Sequence, residues 1–314
     1  MKRIARTVPV SRRSCLGWGL GALAGVGKAG AADTPVTDVL EVAGSRIQLL
    51  WGSEPGDALR RETNIWVKRS AACVAGYLGQ FPVATLVLRV QPVEGQGVSG
   101  GATFPRPQPN IRVRVGRDTT PARFLDDWVM VHEMVHLAIP DLPRSHNWLH
   151  EGLATYVETV ARAHAGITSV GQLWGELARG LPQGQPQAGD RGLDHTATWG
   201  RTYWGGALFS LLADVQMHRQ GDGRTGLRQA LAGVLKAGGN YGVDWPVART
   251  LAVADAAVGQ TVLSDQYRKM KDQPVAVDLD ALWRKLGVTQ YQAGVNATLL
   301  DDAPWAAVRR AISA

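Results

Sequence analysis

Cysteine is nearly absent from this chain: Cys15 and Cys73 are the only two. That excludes a disulfide framework and a structural zinc site closed by thiolates. Cys73, in an apolar context, reads as a small buried residue. Long apolar runs are also lacking. The run from Leu16 to Val26 is Gly-rich and short of the roughly 20 residues a membrane-spanning helix needs, so no integral span is expected in the processed chain. Residues 1 to 31 have no acidic side chain, whereas Lys2, Arg3, Arg6, Arg12, Arg13 and Lys28 are all basic. The stretch Ser11-Arg12-Arg13-Ser14-Cys15-Leu16 resembles a twin-arginine export signal, and Ala29-Gly30-Ala31 offers small residues for cleavage. The expectation is a bacterial protein exported to the periplasm or beyond. Removing those six cations from the formal charge of +7 leaves +1, so the basic balance gives no reason to expect a nucleic-acid partner. Internal repeats and low-complexity tracts are absent as well.

What is present is the segment His132-Glu133-Met134-Val135-His136. Helical positions i and i+4 share a face, so His132 and His136 can direct two imidazoles at one metal ion. Glu133 lies one step round the helix, where a general base would act on a water. Arg123 to Ile139 has no Gly or Pro, which predicts one uninterrupted helix started by Pro121 and stopped by Pro140. The following stretch, Asn147 to Glu158, reads as a second helix folded back on the first. Glu151 on it is placed to give a third ligand. Two His and one Glu leave a fourth tetrahedral position for water, the catalytic form of a zinc site. His146, His150 and Glu158 are the rival third ligands; Glu158, two turns beyond Glu151, fits better as a carboxylate supporting a ligand histidine from behind.

Trp148-Leu149-His150-Glu151-Gly152-Leu153-Ala154-Thr155-Tyr156-Val157-Glu158 resembles the Trp-Leu-Asn-Glu-Gly-Phe-Ala-x-Tyr-x-Glu segment of gluzincin peptidases, the aminopeptidase-N and glycyl aminopeptidase families. The resemblance implies that His132, His136 and Glu151 bind Zn2+, that Glu133 is the general base, and that peptides or proteins are the substrates. These families also carry a Tyr-x-x-Gly motif whose tyrosine hydrogen-bonds the oxyanion. Here it reads Tyr203-Trp204-Gly205-Gly206, which gives that role to Tyr203. Two departures matter. Fourteen residues separate His136 from Glu151, fewer than in aminopeptidase-N. The Gly-x-Met-Glu-Asn strand, whose Glu holds the substrate amine, corresponds to Ser99-Gly100-Gly101-Ala102-Thr103. Gly100, Gly101 and Ala102 remain as candidate substrate-binding residues on an edge strand, or as a Gly-rich turn, while the Glu and Asn are lost. A metzincin pattern is excluded because Leu142 stands where its third histidine would.

The remaining pattern predicts a strand from Val42 to Trp51, a helix from Asp57 to Leu78, a β-rich run from Pro82 to Val90 and a strand from Ile111 to Val115. A loop follows at 178–200. Helices are expected at Tyr203–His218, Gly226–Leu235, Trp245–Val258, Ser264–Met270 and Leu279–Lys285. Together with the resemblance, this gives an α+β protein: a signal at 1–31, a thermolysin-like zincin lobe of mixed sheet and zinc helix at 32–165, and a mainly helical lobe at 166–314. A non-catalytic binding or assembly protein and a zinc hydrolase of non-peptide substrates are the competing functions. The oligomeric state and substrate preference are not legible in the sequence.

Overall fold

The computed structural model describes residues 37–291 and 296–314. The export signal expected at 1–31 lies outside them. Five strands form a mixed sheet in the order β1-β2-β3-β5-β4, with β1 Thr37–Val42, β2 Ser45–Trp51, β3 Thr85–Val93, β4 Val98–Phe104 and β5 Asn110–Gly116. β2, β3 and β5 are parallel; β1 and β4 are antiparallel edges. The strand expected from Val42 to Trp51 begins only at Ser45; β1, which was not expected, precedes it across a tight turn at Ala43 and Gly44, both of which have positive φ. Alternation decides which face is buried. Ile47, Leu49, Leu86, Leu88, Ile111, Val113 and Val115 point into the core, while Arg46, Gln48, Arg89 and Arg112 are exposed on the other face.

The inner face is covered by helices. α1, Asp57–Leu78, supplies the connection that parallel β2 and β3 require, and it buries Trp66, Val67, Ala71, Cys73 and Val74. The helix expected from Arg123 to Ile139 is broken. α2 runs Pro121–Asp126 behind a Thr120 cap, and α3 only Val129–His136. The break has a physical cause. Asp127 is extended, and its carboxylate accepts from the Met130 amide (3.1 Å) and from Trp66 Nε1 (3.0 Å). An aspartate that can satisfy the free amides of a new helix start competes with continuing the old one. Burial raises the Asp127 carboxyl to about 6 against the hydrogen bonds from Met130 and Val129.

α4, Asn147–His164, returns antiparallel beside α3 after a short turn at Arg144–His146. Then come α5 Val170–Gly180, a π-helical segment Gly200–Gly205, α6 Gly206–Gln220, α7 Leu227–Lys236, α8 Val247–Val258, α9 Val262–Met270, α10 Leu279–Leu286 and α11 Ala306–Ser313, with a small hairpin of β6 Val288–Thr289 and β7 Thr298–Leu299. α5, whose end and the following turn Leu181–Gly184 occupy the start of the expected loop at 178–200, was not expected from the sequence, nor were α11 and the hairpin. α4 and α6 meet at two glycines. A Cβ on Gly152 would lie 2.2 Å from Gly206 Cα, and one on Gly206 would lie 2.1 Å from the Trp148 carbonyl oxygen. No side chain fits there, because both obstructions are backbone.

Gly152→Ala is therefore expected to cost about 2 kcal/mol or more, since added core volume forces backbone shifts. Calorimetry should show a clearly lower Tm; an unchanged Tm would mean that the two helices are not held at this separation.

Candidate functional site

Three elements converge on one cleft. α3 supplies His132, Glu133 and His136, α4 supplies Glu151, and β4 forms the rim. His132 Nε2 lies 3.2 Å and His136 Nε2 3.5 Å from the same oxygen, Glu151 Oε2. The two imidazoles meet edge to face with ring centroids 4.9 Å apart. These are the only three His, Cys, Asp or Glu residues among those described that are arranged to hold a metal ion, with donor atoms within 4.8 Å of one another.

The donor set fits zinc. Bonds of about 2.0–2.1 Å to a tetrahedral ion place neighbouring ligand atoms about 3.3 Å apart, close to the spacings seen here. The three donors are also coupled electrostatically. Burial alone would raise the Glu151 carboxyl, but His136 and His132 beside it hold it well below the usual carboxylate range. Burial opposes a charge on His136, and Glu151 outweighs it, raising that imidazole. A carboxylate charged at neutral pH and two imidazoles turned to one point make a site for a cation.

Glu133 is not part of this set. Its side chain is buried against β4, where the Thr103 hydroxyl lies 2.6 Å from Glu133 Oε2 and 2.9 Å from the Glu133 main-chain oxygen. Burial lifts its carboxyl to about 7, against the lowering effects of His136 and Thr103. Gly101 makes the contact possible, since a Cβ there would come within 2.7 Å of Glu133 Cγ. The sequence offered Gly101 as a substrate residue; the geometry also makes it the space that Glu133 occupies. Ala102 lines the cleft with it, whereas Gly100 lines a separate groove on the outer face of the sheet.

Tyr203 enters from the π-helical segment, its ring 6.5 Å from that of His132. Burial and the carboxylates of Glu151 and Glu133 raise its phenol well above the usual value, so it stays a protonated donor. The segment is tied down by Arg201, whose Nε lies 2.7 Å from the Asp190 carboxylate and whose Nη1 donates to the Gly184 carbonyl. Such π segments recur at functional sites because they re-aim a side chain within a helix. Trp199 packs on Tyr203 with centroids 5.9 Å apart, and Trp204 is buried beneath Gly180.

The rival ligands do not join the cluster. His146 is within 3.0 Å of the Tyr267 hydroxyl. His150 donates through Nε2 to the Pro140 carbonyl (2.8 Å), and burial lowers it to about 4, so it is a neutral imidazole lining the cleft. Glu158 is fully buried on α4, accepting from the Thr159 hydroxyl (3.2 Å) and from Arg162 (3.5 Å). Thr103, Asn147 and Tyr241 line the cleft without having been singled out in the sequence. Only Thr103 had a signal: it sits two residues beyond Gly101, and side chains on a strand share a face at that spacing. The cleft encloses about 280 Å3.

No family model and no curated protein matches this sequence. Solved structures do match its fold. An aminopeptidase N family protein from Idiomarina loihiensis superposes with a TM-score of 0.56 at 13% identity, over 81% of this chain and 49% of that one. A two-domain M1 zinc metallopeptidase bound to L-arginine gives 0.49 at 14%, over 78% and 54%, and an M1 zinc metallopeptidase from Deinococcus radiodurans gives 0.46 at 14%, over 74% and 51%. The chain thus spans about half the length of the structures it matches, and it shares the α+β fold of the aminopeptidase N family protein.

Metal analysis after dialysis against dilute zinc is expected to find one zinc per chain. His136→Ala should lose it, and Glu151→Ala should hold it at least tenfold more weakly, as removal of a ligand or its support commonly does. Full occupancy in Glu151→Ala, with loss in Glu158→Ala, would assign the third ligand to Glu158.

Proposed function

We propose that this chain is a zinc-dependent metallopeptidase. The observation that carries the reading is the position of Glu133: a buried carboxylate at about 7, held by Thr103, beside a cluster of His132, His136 and Glu151 and facing the Tyr203 cleft. A carboxylate so placed, beside the donor cluster and open to the cleft, suits a general base. A zinc ion held by the three ligands would polarise water and the scissile carbonyl. Glu133 takes the proton from the attacking water and passes it to the leaving amine. Tyr203 donates its hydroxyl proton in a hydrogen bond to the oxyanion. β4 offers a free edge, on which an extended peptide can pair. The carboxylates lining the cleft are Glu133 and Glu151, and the mechanism uses both. We therefore read the enzyme as cleaving peptides without a need for a free amino terminus; strict dependence on a free amine, tested with N-acetylated peptides, would overturn that part.

Glu133→Gln is expected to keep zinc and fold and to lose hydrolysis, because an amide cannot take the proton. Tyr203→Phe should lower kcat about a hundred- to a thousandfold with little change in KM, the usual cost of removing one oxyanion donor. Near-normal kcat in the Phe variant would assign the oxyanion to another donor.

The pH profile has a definite sign. Glu133 works as the carboxylate, so kcat/KM falls as pH drops through its pKa, and a bound zinc cation moves that limb below the value of about 7 set by burial. Thr103 favours the charged form, so Thr103→Val should move the acid limb upward. A limb that stays put, or moves down, would remove Thr103 from the control of Glu133.

A further inference from the structure

Behind the cleft, the outer face of the sheet carries a second recess of about 400 Å3, bordered by Leu50, Arg89, Gln91, Phe104, Arg112 and Arg114. Its charges are arranged unfavourably for an empty surface. Arg89 on β3 and Arg112 on β5 are register partners, directly opposite each other. β3 and β5 are parallel, and like charges on neighbouring strands of one face repel. Elsewhere on the same face the pattern differs: Arg46 stands opposite Glu41. Among the described residues, Arg89 and Arg112 are in no ion pair, and the Arg112 guanidinium sits 4.7 Å over the ring of Phe104. Arg114 lies two residues along β5, within 3.4 Å of the Ser99 carbonyl.

The recess and the catalytic cleft share one strand as a common wall. Gly101, Ala102 and Phe104 of β4 border both. β4 is the sheet edge, so a chain lying in the cleft can pass over it to the arginine side. A sheet is about 10 Å thick, and an extended chain rises about 3.3 Å per residue, so the crossing takes three or four residues. The chain's own amino-terminal segment is a poor occupant, since residues 1–31 carry six basic side chains and no acidic one.

We propose that this recess is an accessory substrate site, in which Arg89 and Arg112 bind carboxylate side chains of the polypeptide about four residues from the bond in the cleft. The proposal rests on the peptidase reading and names its substrate class: extended polypeptides with an acidic run outside the cleaved sequence. Arg89 and Arg112 touch no reacting atom. They set affinity, and the apolar Leu50 and Phe104 floor limits competing hydration.

The test uses the full chain loaded with zinc and carrying Glu133→Gln, which removes turnover. Two labelled, N-acetylated peptides share a central sequence; one continues into four glutamates, the other into four glutamines. Fluorescence anisotropy at low ionic strength should show the acidic peptide binding about tenfold more tightly, from two exposed but charge-assisted contacts. Salt should erase the difference. Arg89→Gln with Arg112→Gln should erase it too and leave the glutamine peptide unchanged, whereas Arg89→Lys with Arg112→Lys should retain part of it. In enzyme with Glu133 intact, the preference should appear in KM and not in kcat. Equal binding of the two peptides, or undiminished preference in the double Gln variant, overturns the proposal. So does a dimer, seen by sedimentation, that the double Gln variant dissociates, because the face then belongs to a second copy. If enzyme with Glu133 intact cleaves neither peptide while the acidic preference persists, the groove stands and the peptidase reading fails.

Discussion

The closest approach of two helices sets the geometry on which this site depends. Gly152 follows Glu151, and Gly206 lies three residues after Tyr203. Where the two glycines touch, α4 and α6 pack backbone to backbone. Any side chain at either position would push the carboxylate and the phenol apart. The site is further closed by Gly101, whose missing side chain is the space in which the Glu133 carboxylate lies. Three of the cleft's functional groups thus owe their positions to the absence of a Cβ next to them.

Electrostatics then separates the two glutamates. Both are removed from bulk water, which by itself favours the neutral acid. Glu151 faces two imidazoles and is held charged, while burial of Glu133 outweighs the influence of His136 and of the Thr103 hydroxyl and pushes it to about 7. One carboxyl becomes a permanent anion suited to a cation. The other is left close to the point where it can gain or lose a proton near neutral pH. The same residue type is held in two charge states because its neighbours differ and because Glu133 is the more deeply buried of the two.

Much of the fold was legible because it is written in local pattern. The α1 helix spans Asp57–Leu78 as its apolar spacing indicates, and the alternation of Ile111 to Val115 identifies β5. The α+β class follows from such elements, whereas the expectation of an aminopeptidase N-like fold comes from the motif resemblance at 132–136, 148–158 and 203–206. The failures occur where tertiary partners decide. The break before α3 depends on Trp66, 61 residues from Asp127, whose indole shares the aspartate that caps the new helix. Tyr241 reaches the cleft from a loop that pairs with the turn after α3, its amide bonded to the Leu137 carbonyl, and no periodicity marks such a loop. His150 could be read as a ligand from its position in the motif, yet a single carbonyl, that of Pro140, turns its ring to another use.

The metal-donor cluster is unusually local in sequence. His132 and Glu151 are 19 residues apart, on the two arms of the α3–α4 hairpin, whereas Thr103 joins Glu133 from 30 residues upstream. Closing a short loop has a small entropic cost, so contacts of low sequence separation form early and fast. The hairpin can therefore gather its three donors while the sheet edge and the tyrosine helix are still undocked. A cation captured at that stage would hold α3 against α4 as a clasp and bias the nascent chain toward its final topology. By sequence separation alone the three donors need the least chain closure, and Tyr203 must be brought in from beyond the α4 helix.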